Sequence, residues 1–199
     1  MPGERFWLGR IGDDTGNALA APCRLKHSLI THVKPGDVVF LYDDALQAIV
    51  ASSTARGRPR STRLLWPVSS EGTRPDSTMP RLLASWVIEL ESATGLDTNV
   101  TFDEIARVQS EQFASLRAFE EQVGGPLDYP FAVESPSDTR LLAGHAFKLP
   151  ALFVEWFPPL ARVAARMKWS AVARARSSDR LRTKAESVAQ APAAGIVRA

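Results

Sequence analysis

The sequence predicts an α+β fold, a small and strongly curved sheet or barrel with flanking helices. Three observations predict it. Short apolar runs bounded by Gly, Pro and Asp turn residues fill the first ninety positions. Apolar residues then recur at helical spacing from Thr101 to Val123. After residue 126, aromatic residues gather where a chain returns to cover a sheet. At 199 residues the chain has room for one substantial domain and a tail, with the boundary expected between 1–158 and 159–199.

The elements follow in order. Arg5-Phe6-Trp7-Leu8-Gly9 reads as a first strand, and Asp13-Asp14-Thr15-Gly16-Asn17 as the turn after it. Residues 18–33, with Pro22 inside, read as a helix or an irregular loop. Lys34-Pro35-Gly36-Asp37 is a turn, because proline fixes φ and glycine accepts a positive one. Val38-Val39-Phe40-Leu41-Tyr42 is apolar throughout, as expected of a strand buried on both faces. Asp43-Asp44 turns it into Ala48-Ile49-Val50-Ala51, completing a hairpin. Leu82 to Glu91 predicts another strand, with Trp86, Ile88 and Leu90 on one face at period two and Trp86 expected, with Trp156, in the core. Between the strands, residues 56–63 and 67–81 read as polar loops. The first puts four arginines into eight residues. Thr101 and Glu104 form a capping box for the helix that Gly124-Gly125-Pro126 ends. An Ala/Arg-rich helix is expected from Leu160 to about Val188, with a frayed end beyond.

Several chemistries find no support in the residues. There is one cysteine, Cys23, so neither a disulfide framework nor a multi-cysteine zinc site can form. The three histidines lack metal-site spacing, and no nucleophile elbow, phosphate loop or dinucleotide fingerprint is present. The expectation is a binding protein without catalytic residues, metal or cofactor. No run of apolar residues reaches membrane-spanning length and no signal peptide is legible, so a cytoplasmic, reducing setting is expected.

Charge is segregated along the chain. Residues 1–75 hold ten Lys/Arg and seven Asp/Glu, residues 76–157 five and thirteen, and residues 158–199 nine and two. Basic ends around an acidic middle make a polyanion a partner to test. Arginines in a Gly/Pro loop suit phosphates, and Trp66, joining that loop to the next, suits a stacked base.

The first half resembles the EVE branch of the PUA-like superfamily, to which YTH, ASCH and SRA-type domains are related. The resemblance covers residues 5–92. It rests on the order of Phe6-Trp7-Leu8, the Lys34-Pro35-Gly36-Asp37 turn, the strand Val38 to Tyr42, its partner Ile49-Val50-Ala51, and the later strand Trp86-Val87-Ile88-Glu89-Leu90. It implies a small β-barrel with an aromatic pocket for an extruded, modified nucleobase. Trp7, Tyr42, Trp66 and Asp43 match the pocket positions, and Arg24, Arg56, Arg58, Arg60 and Arg63 are the expected phosphate ligands. The departures lie at Ala20-Ala21-Pro22-Cys23-Arg24, where the family carries a tryptophan, and at Tyr42-Asp43-Asp44 in place of Tyr-His-Ser. The implied function is recognition of 5-methylcytosine in DNA by base flipping, with a separate nuclease as a further partner in restriction. Two alternatives stay open: a reader of N6-methyladenine-type marks in RNA, and a protein-interaction domain that binds no nucleic acid.

Overall fold

The computed structural model describes residues 5–11, 17–23, 29–66, 81–123, 130–135, 138–142 and 146–167. The chain divides into two compact units, Met1–Ala161 and Arg162–Ala199. Of the second unit, residues 162–167 are described, and they are helical.

The first unit is mixed α+β. Strands β1 (Phe6–Arg10), β3 (Val38–Asp43), β4 (Ala48–Thr54), β7 (Thr94–Thr101) and β10 (Ala146–Leu149) form a five-stranded sheet in the order β10-β1-β3-β4-β7. All neighbours are antiparallel except β1 and β3, which run parallel with Trp7 opposite Val39. Strands β2 (Ala18–Pro22), β5 (Arg60–Trp66) and β6 (Arg81–Glu89) make a second, antiparallel sheet in the order β2-β6-β5. A single bridge between Ala55 and Leu90 joins the two sheets at one corner. The hairpin β8 (Phe131–Ser135) and β9 (Asp138–Leu141) stands apart, and no closed barrel forms among the described residues.

The centre of the five-stranded sheet, β1 and β3, is buried on both faces, as the apolar β3 run requires, while the edge strand β7 is mostly exposed. Trp7, Val39 and Leu41 project toward the small sheet. There they pack with Leu19, Ala21, Ile30, Val33, Ile88 and Leu90 in one core. On the opposite face, Phe6 packs against Phe40 and Tyr42 meets Phe131 edge-on. Phe131 stacks on Phe153, which touches Phe157. The aromatic residues after 126 that the structure describes therefore do return to the sheet. Phe153 belongs to α3 (Ala151–Trp156), and residues 158–161 are helical. Gly9 marks the closest approach of β1 to β2: a Cβ there would lie 2.8 Å from Leu19 Cδ1.

Three expectations need correcting, and one strand was not foreseen. Residues 18–22 form strand β2, and a short 3-10 turn, Leu29–His32, follows. Pro22 fits because it is the last residue of an edge strand that pairs only with β6. Residues 60–66 are strand β5, not loop, again at an edge, where arginine side chains reach solvent. Strand β7 has no period-two apolar signal and could not be read from its sequence, TGLDTNVT. The single helix expected over 101–123 is two, α1 (Phe102–Glu111) and α2 (Phe113–Val123), interrupted at Gln112. Thr101 caps α1 as its sequence predicts, its hydroxyl accepting from the Glu104 N–H at 3.3 Å.

Candidate functional site

The four expected pocket residues are not brought together. Trp7 is 4% exposed, within the core between the sheets. Its indole N–H donates to Asp37 Oδ2 at 2.9 Å, which satisfies the one polar group the ring carries and permits its burial. Tyr42 is also buried, but on the opposite face of the same sheet, against Phe131. Trp7 and Tyr42 therefore cannot line one cage. Asp43 shapes the β3–β4 turn, its Oδ1 accepting from the N–H groups of Ala45 and Leu46 at 2.8 and 3.0 Å. Trp66 lies on the other sheet, at the end of β5. It is half-buried, and its indole N–H donates to Ser85 Oγ at 2.8 Å.

Asp37 explains the Gly-Asp turn physically. Its carboxylate accepts from the Trp7 indole, from the Lys34 backbone N–H at 2.9 Å and from the Arg5 guanidinium. Its own carbonyl accepts from Ala55 N at 2.9 Å. Gly36 takes φ +81°, which lets the chain reverse, and its N–H donates to Ala55 O at 2.8 Å. A buried carboxylate thus ties the start of β1 to the turn before β3, and the backbone beside it reaches the end of β4. The turn is a structural clasp.

Burial pushes the Tyr42 hydroxyl pKa up from the ordinary tyrosine value, and the nearby Asp44 carboxylate adds to this. Asp43 pushes the same way, while Arg10 opposes. Folding therefore favours the neutral phenol. Its contribution is fully present below about pH 10 and is lost as pH rises through the raised value. Melting followed from about pH 8 to pH 11 should show an alkaline decline that Tyr42→Phe reduces. An identical decline in both proteins would place the titrating group elsewhere.

The arginines separate into two sets. Arg10 is clamped by Asp44, with Nε and Nη2 both donating to the carboxylate at 2.6–3.1 Å. Arg60 pairs with Glu89 across the small sheet at 3.1 Å. Arg107 and Arg117 pair within their helices with Glu111 and Glu120. By contrast Arg56, Arg58 and Arg63 are exposed and make no ion pair or side-chain hydrogen bond among the described residues. Arg81, opposite Trp66 in the ladder, is also exposed but is not without a partner. Arg24, the remaining expected phosphate ligand, lies outside the described residues, as does the basic stretch from residue 168 onward.

Arg63, Arg81 and Trp66 sit on one structure. Strand β2 pairs with β6 from Ser85 to Glu89 and Cys23 bonds Ala84, so among the described residues the pairs from Leu64–Leu83 to Trp66–Arg81 run on as a two-stranded ribbon. Directly paired residues share a face. One face carries Arg63, Leu65, Leu82 and Ala84, with Trp86 at its base; the other carries Leu64, Leu83, Trp66 and Arg81. Sequence patterning missed the exposure of Leu65 and Leu82, which are 69% and 57% exposed. It also expected Trp86 to be core, whereas the residue is half-buried at the rim of the core. Among the described residues no cluster of three or more His, Cys, Asp or Glu could hold a metal, and no helix is long and apolar enough to cross a membrane.

No protein-family model and no curated protein matches the chain. Among solved structures it is similar to Rpa0253 from Rhodopseudomonas palustris, determined by NMR. The two are 14% identical, and the match covers 61% of this chain and 81% of that one at a TM-score of 0.33. A likeness that loose transfers neither fold nor function.

Proposed function

We propose that this protein binds nucleic acid through the β5–β6 ribbon and the segment leading into it. One observation carries the reading: Arg56, Arg58 and Arg63 are held exposed and without acidic partners among the described residues, while the neighbouring Arg60 is neutralised by Glu89. Exposed guanidinium groups without acidic partners suit phosphates, which they bind through charge-assisted and often bidentate hydrogen bonds. Preference for a modified base, 5-methylcytosine in DNA first, rests on the family resemblance and on the PUA-like frame it implies. Of the four pocket positions that resemblance implies, Trp66 alone is half-exposed on the β5–β6 ribbon, on the face opposite Arg63, so the stacking role falls to it.

Replacing Arg56, Arg58 and Arg63 together with alanine should weaken binding to modified and unmodified probes by similar factors. It should also flatten the slope of log K against log salt by about one unit per contact removed. Mobility shifts at several salt concentrations, on matched duplexes carrying cytosine or 5-methylcytosine, measure both quantities. A slope unchanged in the folded triple variant removes these arginines from the interface. The same probes test the finer reading, since Trp66→Ala should narrow the gap between them.

A further inference from the structure

The face of the ribbon opposite Trp66 has a composition that phosphate contacts do not explain. Leu65 and Leu82 stand directly across from each other, and both project into solvent. Next along the strands come Arg63 and Ala84, then Ser61 and Trp86. Cys23 continues the ladder beside Ala84, its N–H donating to the Ala84 carbonyl at 2.8 Å, and it too is exposed. Its neighbours on this face, Ser61 and Ala84, are small, and the Trp86 indole is half-buried at the rim of the core. The result is a strip in which apolar groups recur every second residue, about 7 Å apart along β6, with the Arg63 guanidinium among them. An exposed apolar surface of this kind marks a contact surface.

We propose that this strip binds single-stranded nucleic acid, with unpaired bases stacked on Trp86 and lying over Leu65 and Leu82, and Arg63 gripping the backbone between them. The inference rests on the reading of the ribbon as a nucleic-acid surface and names the substrate class. Charge selects the occupant. A second copy packed strip to strip would bury the Arg63 guanidinium among apolar groups with no carboxylate on the strip to pair it, and an unpaired buried charge is costly. A strand of phosphates complements the same residue. A duplex keeps its base faces stacked on one another and has little to offer two leucines and an indole. An unpaired strand exposes those faces, and any base can stack without regard to sequence.

The test compares a fluorescein-labelled oligothymidine of about twelve nucleotides with a duplex of the same length, by fluorescence anisotropy on the full chain. The single strand should bind more tightly. Trp86→Leu should lower its affinity by roughly five- to a hundredfold, the range that loss of one stacked base gives. Leu65→Ala with Leu82→Ala should also lower it and, since both side chains are exposed, should leave the melting temperature in place; that pair keeps the test sound if Trp86→Leu fails to fold. Leu46→Ala, an exposed leucine on the β3–β4 turn, should change nothing. Bound oligonucleotide should slow alkylation of Cys23, the one cysteine in the chain. Equal affinity for strand and duplex, with folded strip variants behaving as wild type, overturns the strip while leaving phosphate binding by the ribbon in place. Binding of neither probe overturns both. A dimer in solution that dissociates in the double leucine variant overturns the strip as a base surface and makes it a contact between copies.

Discussion

Asp37→Ala should lower the stability of the folded protein by about 2–4 kcal/mol, the largest loss expected from any single polar residue in the described structure. Its carboxylate is buried and accepts from the Trp7 indole, the Lys34 N–H and the Arg5 guanidinium. Alanine leaves the indole N–H buried without an acceptor, and an orphaned buried donor costs about 1–3 kcal/mol. Losing the Lys34 contact loosens the turn and adds to that. Arg5 contributes less, because its side chain is 49% exposed and water takes over its solvation. In a unit of this size the melting temperature should fall by roughly 5–15 °C. Arg5→Ala should therefore cost well under half as much as Asp37→Ala. If thermal melting of the two variants shows equal small losses, the clasp contributes little and the turn is held by its backbone bonds alone.

Trp7→Ala should be at least as damaging, by about 3–5 kcal/mol, since it empties a large buried site between the two sheets. Nucleic-acid binding should fall only in proportion to the unfolded fraction. Binding measured well below the melting point, on the fraction that remains folded, should match the wild type. Selective loss of binding in a normally stable Trp7 variant would restore this residue to a ligand pocket. The two clasp variants should also be non-additive. Once Trp7 is gone the carboxylate has one donor fewer to satisfy, and a double-mutant cycle should show coupling of about 1 kcal/mol or more.

How much of this could be read in advance follows from which signals are local. The β3 run, its hairpin partner and the strand through Trp86 were legible because apolar periodicity reports burial on a strand's faces. The parity was right as well: Trp86, Ile88 and Leu90 do share the core-facing side of β6. Invisible in the pattern is where along a strand the core stops. Strand β6 runs past the end of β2, so Leu82 is exposed at the same parity that buries Ile88. The same blindness exchanged the roles of two tryptophans. Trp7 was expected at a ligand pocket and is core, because Asp37 thirty residues away supplies the acceptor its indole needs. Trp86 was expected in the core and stands at its rim. Strand β5 escaped notice because an edge strand carrying arginines has no apolar alternation to betray it.

The position of β1 has a kinetic consequence. The strand lies inside the five-stranded sheet, between β3 and β10, and Phe6 is paired with Leu149. The β3–β4 hairpin needs only neighbours in sequence and can form early. The sheet as a whole cannot be completed until nearly the entire first unit has left the ribosome, because its first strand waits for its last one. Pairing across such a separation closes a long loop before it gains any contact energy, which slows folding. During that wait one edge of β1 stays open, with Phe6, Trp7 and Leu8 among its residues, and a growing chain in that state is exposed to mispairing with others like it.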